Sequence, residues 1–320
     1  MSQEEPIKPV LLVDGLNFFM RHFVVNPSMA ETGEHVGGLL GFLAGLGNLC
    51  EKFRPGKVVI VWESGGSVRK RNVDSTYKDG RRPPTLNRYY GDDIPATTEN
   101  HTMQVSLLVK ALGHFPVTQI YVRDCEADDV IGYLSRYAFG STRTILVSSD
   151  RDLYQLIDDR VQQWSPGQKK LITRHDIMNK FGVSPENFIS ARVFIGDPSD
   201  NIMGVKGTGF KTMSKWFPEL SGSSFVSYKN IVEAAKILHH DKKGKTIGSI
   251  AASHDLAEKN WKLMYLDTSQ LAGSQIQKVN DQLEKQGKSN KMGLMRLLLQ
   301  SGMQKFDINR YFLAINSVRR

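Results

Sequence analysis

Five stretches of the chain set apolar residues side by side and stop at charged or turn-forming ones. They are VLLVD (10–14), KVVIVWE (57–63), TQIYVR (118–123), RTILVSSD (143–150) and, more weakly, RVQQW (160–164). Runs of this length, rich in β-branched residues, predict strands. Between them the hydrophobicity recurs with a helical period in GGLLGFLAGLGNLCEKF (37–53), MQVSLLVKALGHF (103–115) and ADDVIGYLSRYA (127–138). Strands alternating with helices predict an α/β fold with a mostly parallel central sheet flanked by helices. After residue 173 the strand pattern fades, and helical segments such as RHDIMNKFG and SPENFISARVFIG take over. The expected division is therefore an α/β domain over residues 1–173 and a mainly helical subdomain over 174–320.

The polar positions that close the apolar runs are unusually acidic. Asp14 ends the first strand, Glu63 the second and Asp150 the fourth, with Asp152 two residues on. In CEADDVIGYL, Glu126, Asp128 and Asp129 crowd the head of a helix that follows the third strand. Acids in a first helical turn are ordinary, since the helix dipole favours them there by roughly 0.3–1 kcal/mol each. Ligands of open parallel sheets, however, bind beyond the carboxyl ends of the strands, and all seven acids belong to that rim. So many carboxylates in one small volume take up protons unless cations sit among them. An all-oxygen set points to Mg²⁺, with Mn²⁺ as a substitute, rather than zinc. Two such ions about 3.5–4 Å apart suit an in-line phosphoryl displacement.

Charge adds a partner. The chain carries a formal net charge of +9, and residues 201–320 hold 19 Lys and Arg against 9 Asp and Glu, whereas residues 1–200 hold 23 against 24. A basic region of this kind is the footprint expected for a polyanion, most often nucleic acid. The segment 64–90 has seven Lys or Arg against two Asp, with tyrosines among them. Its Arg69, Lys70, Arg71, Tyr77, Lys78, Arg81 and Arg82 suit a single-stranded backbone with stackable bases. In GDPSDNIMGVKGTGFKT (196–212), Asp197 and Asp200 precede a glycine-rich turn with Gly204, Lys206, Gly207 and Gly209, which leads into a helix carrying Lys211 and Lys215. Backbone N–H groups at such a turn form an anion site, here for duplex phosphate. The only cysteines are Cys50 and Cys125, and no run approaches the ~18 apolar residues of a membrane span. The expectation is a soluble, cytoplasmic protein with no membrane partner.

Taken in order, LLVDGLNFF, CEADDVIGYL, SSDRDLYQL and IGDPSDNIMGVKGTGFKT closely resemble the phage and bacterial flap endonuclease (5′-nuclease) family, and QWSPGQKK resembles its phage ribonuclease H branch. The similarity covers roughly residues 9–220. It implies a PIN-like 5′-nuclease fold, a basic arch at about 64–100 and a helix-turn-helix-type element that grips duplex without reading sequence. It further implies two metal sites: Asp14, Glu126, Asp128 and Asp150 around a tighter ion, and Asp152, Asp197 and Asp200 around a looser one. Asp129 would act directly or through water. Glu63 departs from the family's usual Asp, which leaves direct ligation and water-mediated contact both open. YKDGR matches the family pattern, so Lys78 and Arg81 would touch the scissile phosphate, and Asp14 and Asp150 would be central to catalysis. K⁺ at the 204–209 turn, branched or 5′-ended DNA and RNA/DNA duplex as substrates, a single-strand-binding protein, polymerase or clamp as partners, and a bacterial or phage-infected cell as the setting complete the implied picture. Two alternatives stay open at this point: a catalytically inactive nucleic-acid-binding protein, and a single-strand ribonuclease of the same fold.

Overall fold

The structure is a computed structural model and describes residues 8–63, 65–80, 97–242, 244–304 and 306–318. Six strands form one sheet: β1 (Val10–Asp14), β2 (Lys57–Trp62), β3 (Thr118–Tyr121), β4 (Thr144–Val147), β5 (Val161–Ser165) and β6 (Lys170–Ile172). Their order is β3-β2-β1-β4-β5-β6, parallel throughout except for the β5–β6 pair. The helices are α1 (Gly15–Val25), α2 (Gly37–Phe53), α3 (Val68–Val73), α4 (Thr97–Leu112), α5 (Ala127–Tyr133), α6 (Arg174–Phe181), α7 (Pro185–Ile195) and α8 (Phe210–Trp216). They continue with α9 (Tyr228–Lys242), α10 (Lys245–Ala251), α11 (His254–Met264), α12 (Gly273–Leu283), α13 (Lys291–Gln300) and α14 (Ile308–Asn316). This is the α/β architecture that the apolar pattern predicts, with helices on both faces of a mostly parallel sheet and a helical region after it.

Side chains alternate across a strand, and both faces of this sheet are covered. Leu11, Val13, Val58, Ile60, Ile145 and Val147 pack on one side with α1, α2, α4, α13 and α14. Val10, Leu12, Val59, Val61, Leu146 and Val161 pack on the other with α5 and α12. This burial on both faces explains why β1, β2 and β4 read as unbroken apolar runs. A third core, containing Phe188, Phe194, Met213, Phe217, Ile231 and Leu263, lies within the helical region.

Two features depart from the sequence expectation. Strand β6 is only three residues long, too short to leave a period-two signature. The chain beyond about residue 265 does not stay with the helical region: Leu266, Leu271 and Val279 join one sheet core, and Leu294, Leu298, Phe312 and Ile315 join the other. The expected subdomain 174–320 therefore spans two kinds of packing. The helical core, which Tyr154, Ile157 and Ile172 join from the sheet region, ends near Met264, and among the described residues Leu266, Leu271, Val279, Leu294, Leu298, Phe312 and Ile315 pack on the sheet.

Candidate active site

The strand order reverses between β1 and β4, which makes that point the sheet's topological switch. Asp14 ends β1 and also caps α1, accepting the Asn17 N–H at 3.1 Å. Its other oxygen accepts the Ser148 hydroxyl at 3.1 Å, and the same hydroxyl accepts the Asp150 N–H at 3.1 Å. Asn17 in turn accepts the Ser149 N–H at 2.8 Å, and Gln163 of β5 donates to the Ser148 and Asp150 carbonyls. The loops after β1 and β4 are thus stitched together beneath their acids. Burial, helped by Asp150 and Glu63, raises the Asp14 pKa to about 7 against the Asn17 and Ser148 bonds. Asp128 is also raised well above the usual carboxylate range. It keeps some surface open to the rim, but enclosure by protein is the largest cause, followed by repulsion from Asp150 and Asp14. These three acids therefore share one electrostatic neighbourhood, and Glu63, half-buried after β2, borders it.

Glu126 and Asp129, expected among the metal acids, also serve the head of α5. They form the capping box of α5, with Asp129 accepting the Glu126 N–H at 3.2 Å. Both are buried. Lys70, expected on DNA, is instead only 2% exposed, 2.8 Å from Glu126 Oε2 and 3.1 Å from Asp129 Oδ1. Tyr77, expected to support a nucleic acid strand, is buried and donates its hydroxyl to Glu126 Oε2 at 3.0 Å. Lys78 binds Glu126 Oε1. Burial alone would raise the Glu126 pKa, but the two lysines outweigh it and hold the carboxyl down at about 2. The physical reason for these contacts is shared: two buried carboxylates demand counter-charge, and the basic segment supplies it. Lys78 is held in a left-handed conformation (φ 63) by its N–H bond to the Asp200 carbonyl, and Asn201 donates to the Thr76 carbonyl, so the 74–78 loop leans on the second acid group.

That second group is organised by Arg192 of α7, which lies 2.6 Å from Asp197 Oδ2 and 3.3 Å from Asp152 Oδ1. The other oxygen of Asp197 accepts the Ser199 N–H and hydroxyl. Burial works against ionisation there, yet Ser199 and Arg192 hold the Asp197 pKa below normal. Asp152 is raised to about 7 by burial and by Asp150, despite Arg192, and its Oδ1 is buried without a well-aligned hydrogen bond. Asp200 is buried beside it.

The glycine turn divides in two. Gly204 has a packing reason of its own: a Cβ there would stand 2.0 Å from the Ile195 carbonyl oxygen. Gly207 (φ 80) and Gly209 face more open space. Phe210 packs on Phe188 and Phe181, with ring centroids 4.8 and 4.7 Å away. This pins α8 to α7 and leaves Lys211 and Lys215 exposed beside the exposed Lys206. Asn260 of α11 fixes the turn from below by donating to the Val193 and Met203 carbonyls.

Of the remaining predicted contacts, Arg69 donates to the Ser269 carbonyl at 3.2 Å and to Gln270, and Arg71 donates to the Gly65 carbonyl. Arg81 and Arg82 lie outside the described residues. Sequence reasoning passed over Asn17, Ser148, Gln163 and Arg192. All four sit inside segments already quoted, in LLVDGLNFF, SSDRDLYQL, QWSPGQKK and SPENFISARVFIG, but nothing next to them in the chain marks them as partners of the acids. Among the described residues, the group whose candidate ligand atoms all lie within 4.8 Å is His254, Asp255 and Glu258, at the surface start of α11, where Glu258 already holds Lys262 at 2.9 Å. The rim acids stand farther apart than that, yet Asp150 is close enough to help raise the pKa of both Asp14 and Asp128.

Residues 9–182 match the family described as 5′-3′ exonuclease, N-terminal resolvase-like domain. The chain belongs to this 5′-3′ exonuclease family. It is 30% identical over 261 residues to the 5′-3′ exonuclease of Bacillus subtilis, covering 78% of this chain and 82% of that one. It is 32% identical over 217 residues to the thermostable DNA polymerase I of Thermus thermophilus, covering 67% of this chain but only 24% of the polymerase. The chain thus spans about a quarter of the polymerase relatives and most of the stand-alone exonuclease. Among solved structures, the bacteriophage T5 flap endonuclease in a pseudo-enzyme-product complex with DNA and metal ions shares the fold, with a TM-score of 0.71 and 21% identity over 86% of this chain and 98% of that one. Among the described residues, no helix of this exonuclease-family chain is long and apolar enough to cross a membrane.

Proposed function

We propose that the protein is a divalent-metal-dependent, structure-selective 5′-nuclease that hydrolyses phosphodiesters where a single-stranded 5′ end meets duplex, in DNA and in RNA primers. The observation that carries this reading is the group Asp14, Asp128 and Asp150 at the switch point of the sheet, where Asp14 and Asp128 are pushed up by burial and by their acid neighbours. An all-carboxylate set whose burial is unfavourable without positive charge fits a hard cation. Asp14, Asp128 and Asp150 would hold one ion, and Asp152 with Asp200 a second. Asp152 Oδ1, buried and poorly bonded, supports the second position. Mg²⁺ is the preferred metal, with Mn²⁺ as a substitute. Bound there, the ions supply Lewis-acid stabilisation of the charge that builds on the phosphate oxygens.

The chain's own residues do the rest. Arg192 orients Asp152 and Asp197, and Lys70 and Tyr77 hold Glu126 as the anchor of α5. Lys78 rests on Glu126 at the rim, placed to meet a phosphate oxygen and stabilise it electrostatically. Lys206, Lys211 and Lys215 grip duplex phosphate without reading bases. Thr208 Oγ1, buried with no partner among the described residues, supports K⁺ at the 204–209 turn. A polymerase as working partner is supported by relatives that carry the matching segment within DNA polymerase I. The bacterial relatives support a cytoplasmic setting, in a bacterial or phage-infected cell.

The direct test is cleavage of an end-labelled 5′-flap duplex in Mg²⁺ against an EDTA control. Specific cutting near the junction is expected, and binding without cutting in Mg²⁺ or Mn²⁺ would leave an inactive nucleic-acid-binding protein. A pH test follows from the raised acids. Unfolded Asp titrates near 3.9, whereas folded Asp14 and Asp152 titrate at about 7, so between these values the folded state binds more protons. Stability of the metal-free protein should be greatest below about pH 4 with respect to these groups and fall as pH rises to about 7. Added Mg²⁺ should raise Tm more at pH 8 than at pH 5, and equal shifts in calorimetry at both pH values would contradict the site. For the duplex grip, replacing both Lys211 and Lys215 by Ala should weaken binding on every sequence alike. It should also flatten the plot of log Kd against log salt by about 0.9 per lost contact.

A further inference from the structure

A cavity of about 690 Å³ opens on the side of α3 away from the acids, within the roughly 300–1,000 Å³ range of ligand sites. Lys70 turns from α3 toward Glu126 and Asp129, whereas Arg69 and Asn72 of the same helix line the cavity. The other walls are residues 122–124 after β3 and the segment 269–278 that enters α12. Its charged lining is Arg69, Arg123 and Lys278 against a single carboxylate, Asp124. The Arg69 guanidinium bonds the Ser269 carbonyl and the Gln270 amide oxygen, both neutral, so its charge is placed without being cancelled. Lys278 stands 6.0 Å from the centre of the Tyr121 ring, which is 45% exposed. Cations beside an exposed aromatic ring favour single-stranded nucleic acid over other anions.

The sheet order gives the cavity its place. The duplex-gripping turn and Asp152, Asp197 and Asp200 lie on the β4–β5 side of the rim, Asp14 and Asp150 lie at the switch point, Glu63 follows β2, and the cavity lies at the β3 edge. Strands are spaced about 4.8 Å apart, so β4 and β3 are separated by roughly 14–15 Å. That distance is about four nucleotides at duplex rise, and fewer when a strand is stretched. On the 5′-nuclease reading, a strand that runs from the glycine turn across the acids toward the β3 edge would meet this cavity.

We propose that the cavity between α3, residues 122–124 and the start of α12 binds phosphodiesters of the single-stranded 5′ segment beyond the cleavage point, as an anion subsite separate from the acidic rim and the glycine turn. The proposal rests on the 5′-nuclease reading. Its test is steady-state cleavage in Mg²⁺ by the full chain and by an Arg123→Ala/Lys278→Ala variant, on substrates with 5′ flaps of one and of eight nucleotides. The variant should cut the one-nucleotide flap with wild-type KM and kcat, which also certifies its fold, while KM for the long flap rises about 5- to 20-fold at unchanged kcat. Uncharged methylphosphonate linkages at the third to fifth flap positions should raise the wild-type KM for the long flap by a similar factor and add little in the variant. Wild-type KM on both flaps, the result expected if the cavity serves an acidic peptide, overturns the subsite, as does equal loss on both. A wild type that cuts neither flap in Mg²⁺ overturns the nuclease reading itself, and the subsite with it.

Discussion

Asp128→Asn should lower kcat on a flap substrate by about 10³-fold or more, roughly 4 kcal/mol of transition-state stabilisation, while Kd for the same substrate stays within about twofold. The two halves of this expectation have separate causes. Asp128 stands among Asp150 and Asp14 and is raised by both, so its charge is useful only with a cation beside it. In the proposed function duplex is gripped elsewhere, by the turn and by α8. The substitution should also stabilise the metal-free protein at pH 8, because it removes one member of a repelling, enclosed set, and it should shrink the Tm increase on adding Mg²⁺. A variant that keeps kcat within tenfold of wild type would remove Asp128 from the reaction. Reduced stability without metal would contradict the electrostatic account of the rim.

Lys70→Met should cost about 3–5 kcal/mol of stability, the usual penalty for leaving a buried charge without its partner. Lys70 is 2% exposed and serves Glu126 and Asp129 together. Glu126 keeps Lys78 and Tyr77 after the change. Asp129 is worse placed, since its Oδ1 faces Lys70 and has no hydrogen bond among the described residues. Adding Asp129→Asn to Lys70→Met should therefore recover part of the loss, with a coupling of about 0.5–3 kcal/mol. Asn can still accept the Glu126 N–H and so keep the α5 cap. Urea unfolding of the four proteins measures this directly. A cost below about 1 kcal/mol for Lys70→Met would return Lys70 to the exposed role that its basic neighbourhood suggests.

Local pattern carried much of this molecule. The run 10–14 is β1 and the segment 37–53 is α2, residue for residue, because a strand covered on both faces and a helix with one packed stripe each leave a periodic trace. The placement of acids at strand ends was equally legible, since a parallel sheet sends every such end to the same rim. The basic segment was legible only as composition. Whether a lysine there meets solvent, DNA or a buried carboxylate depends on Glu126, 56 positions further along, and no window of sequence contains both. Gly204 was ambiguous for a related reason: the glycine signature is the same whether the close neighbour is a phosphate or a carbonyl such as that of Ile195.

By itself, then, the amino-acid order determined the alternation of strands and helices, the acidic character of one rim and the basic character of the last third, because each is set by neighbours within a few residues. Tertiary structure alone decided that Lys70 and Tyr77 turn inward to Glu126 while Lys78 waits at the rim. It also decided that residues beyond 265 return to the sheet, and that Arg69, Arg123 and Lys278 share a cavity. The reason is electrostatic and steric. Burying a carboxylate costs too much to leave uncompensated, so the fold recruits whichever cation the topology brings near, however far away it lies in the chain.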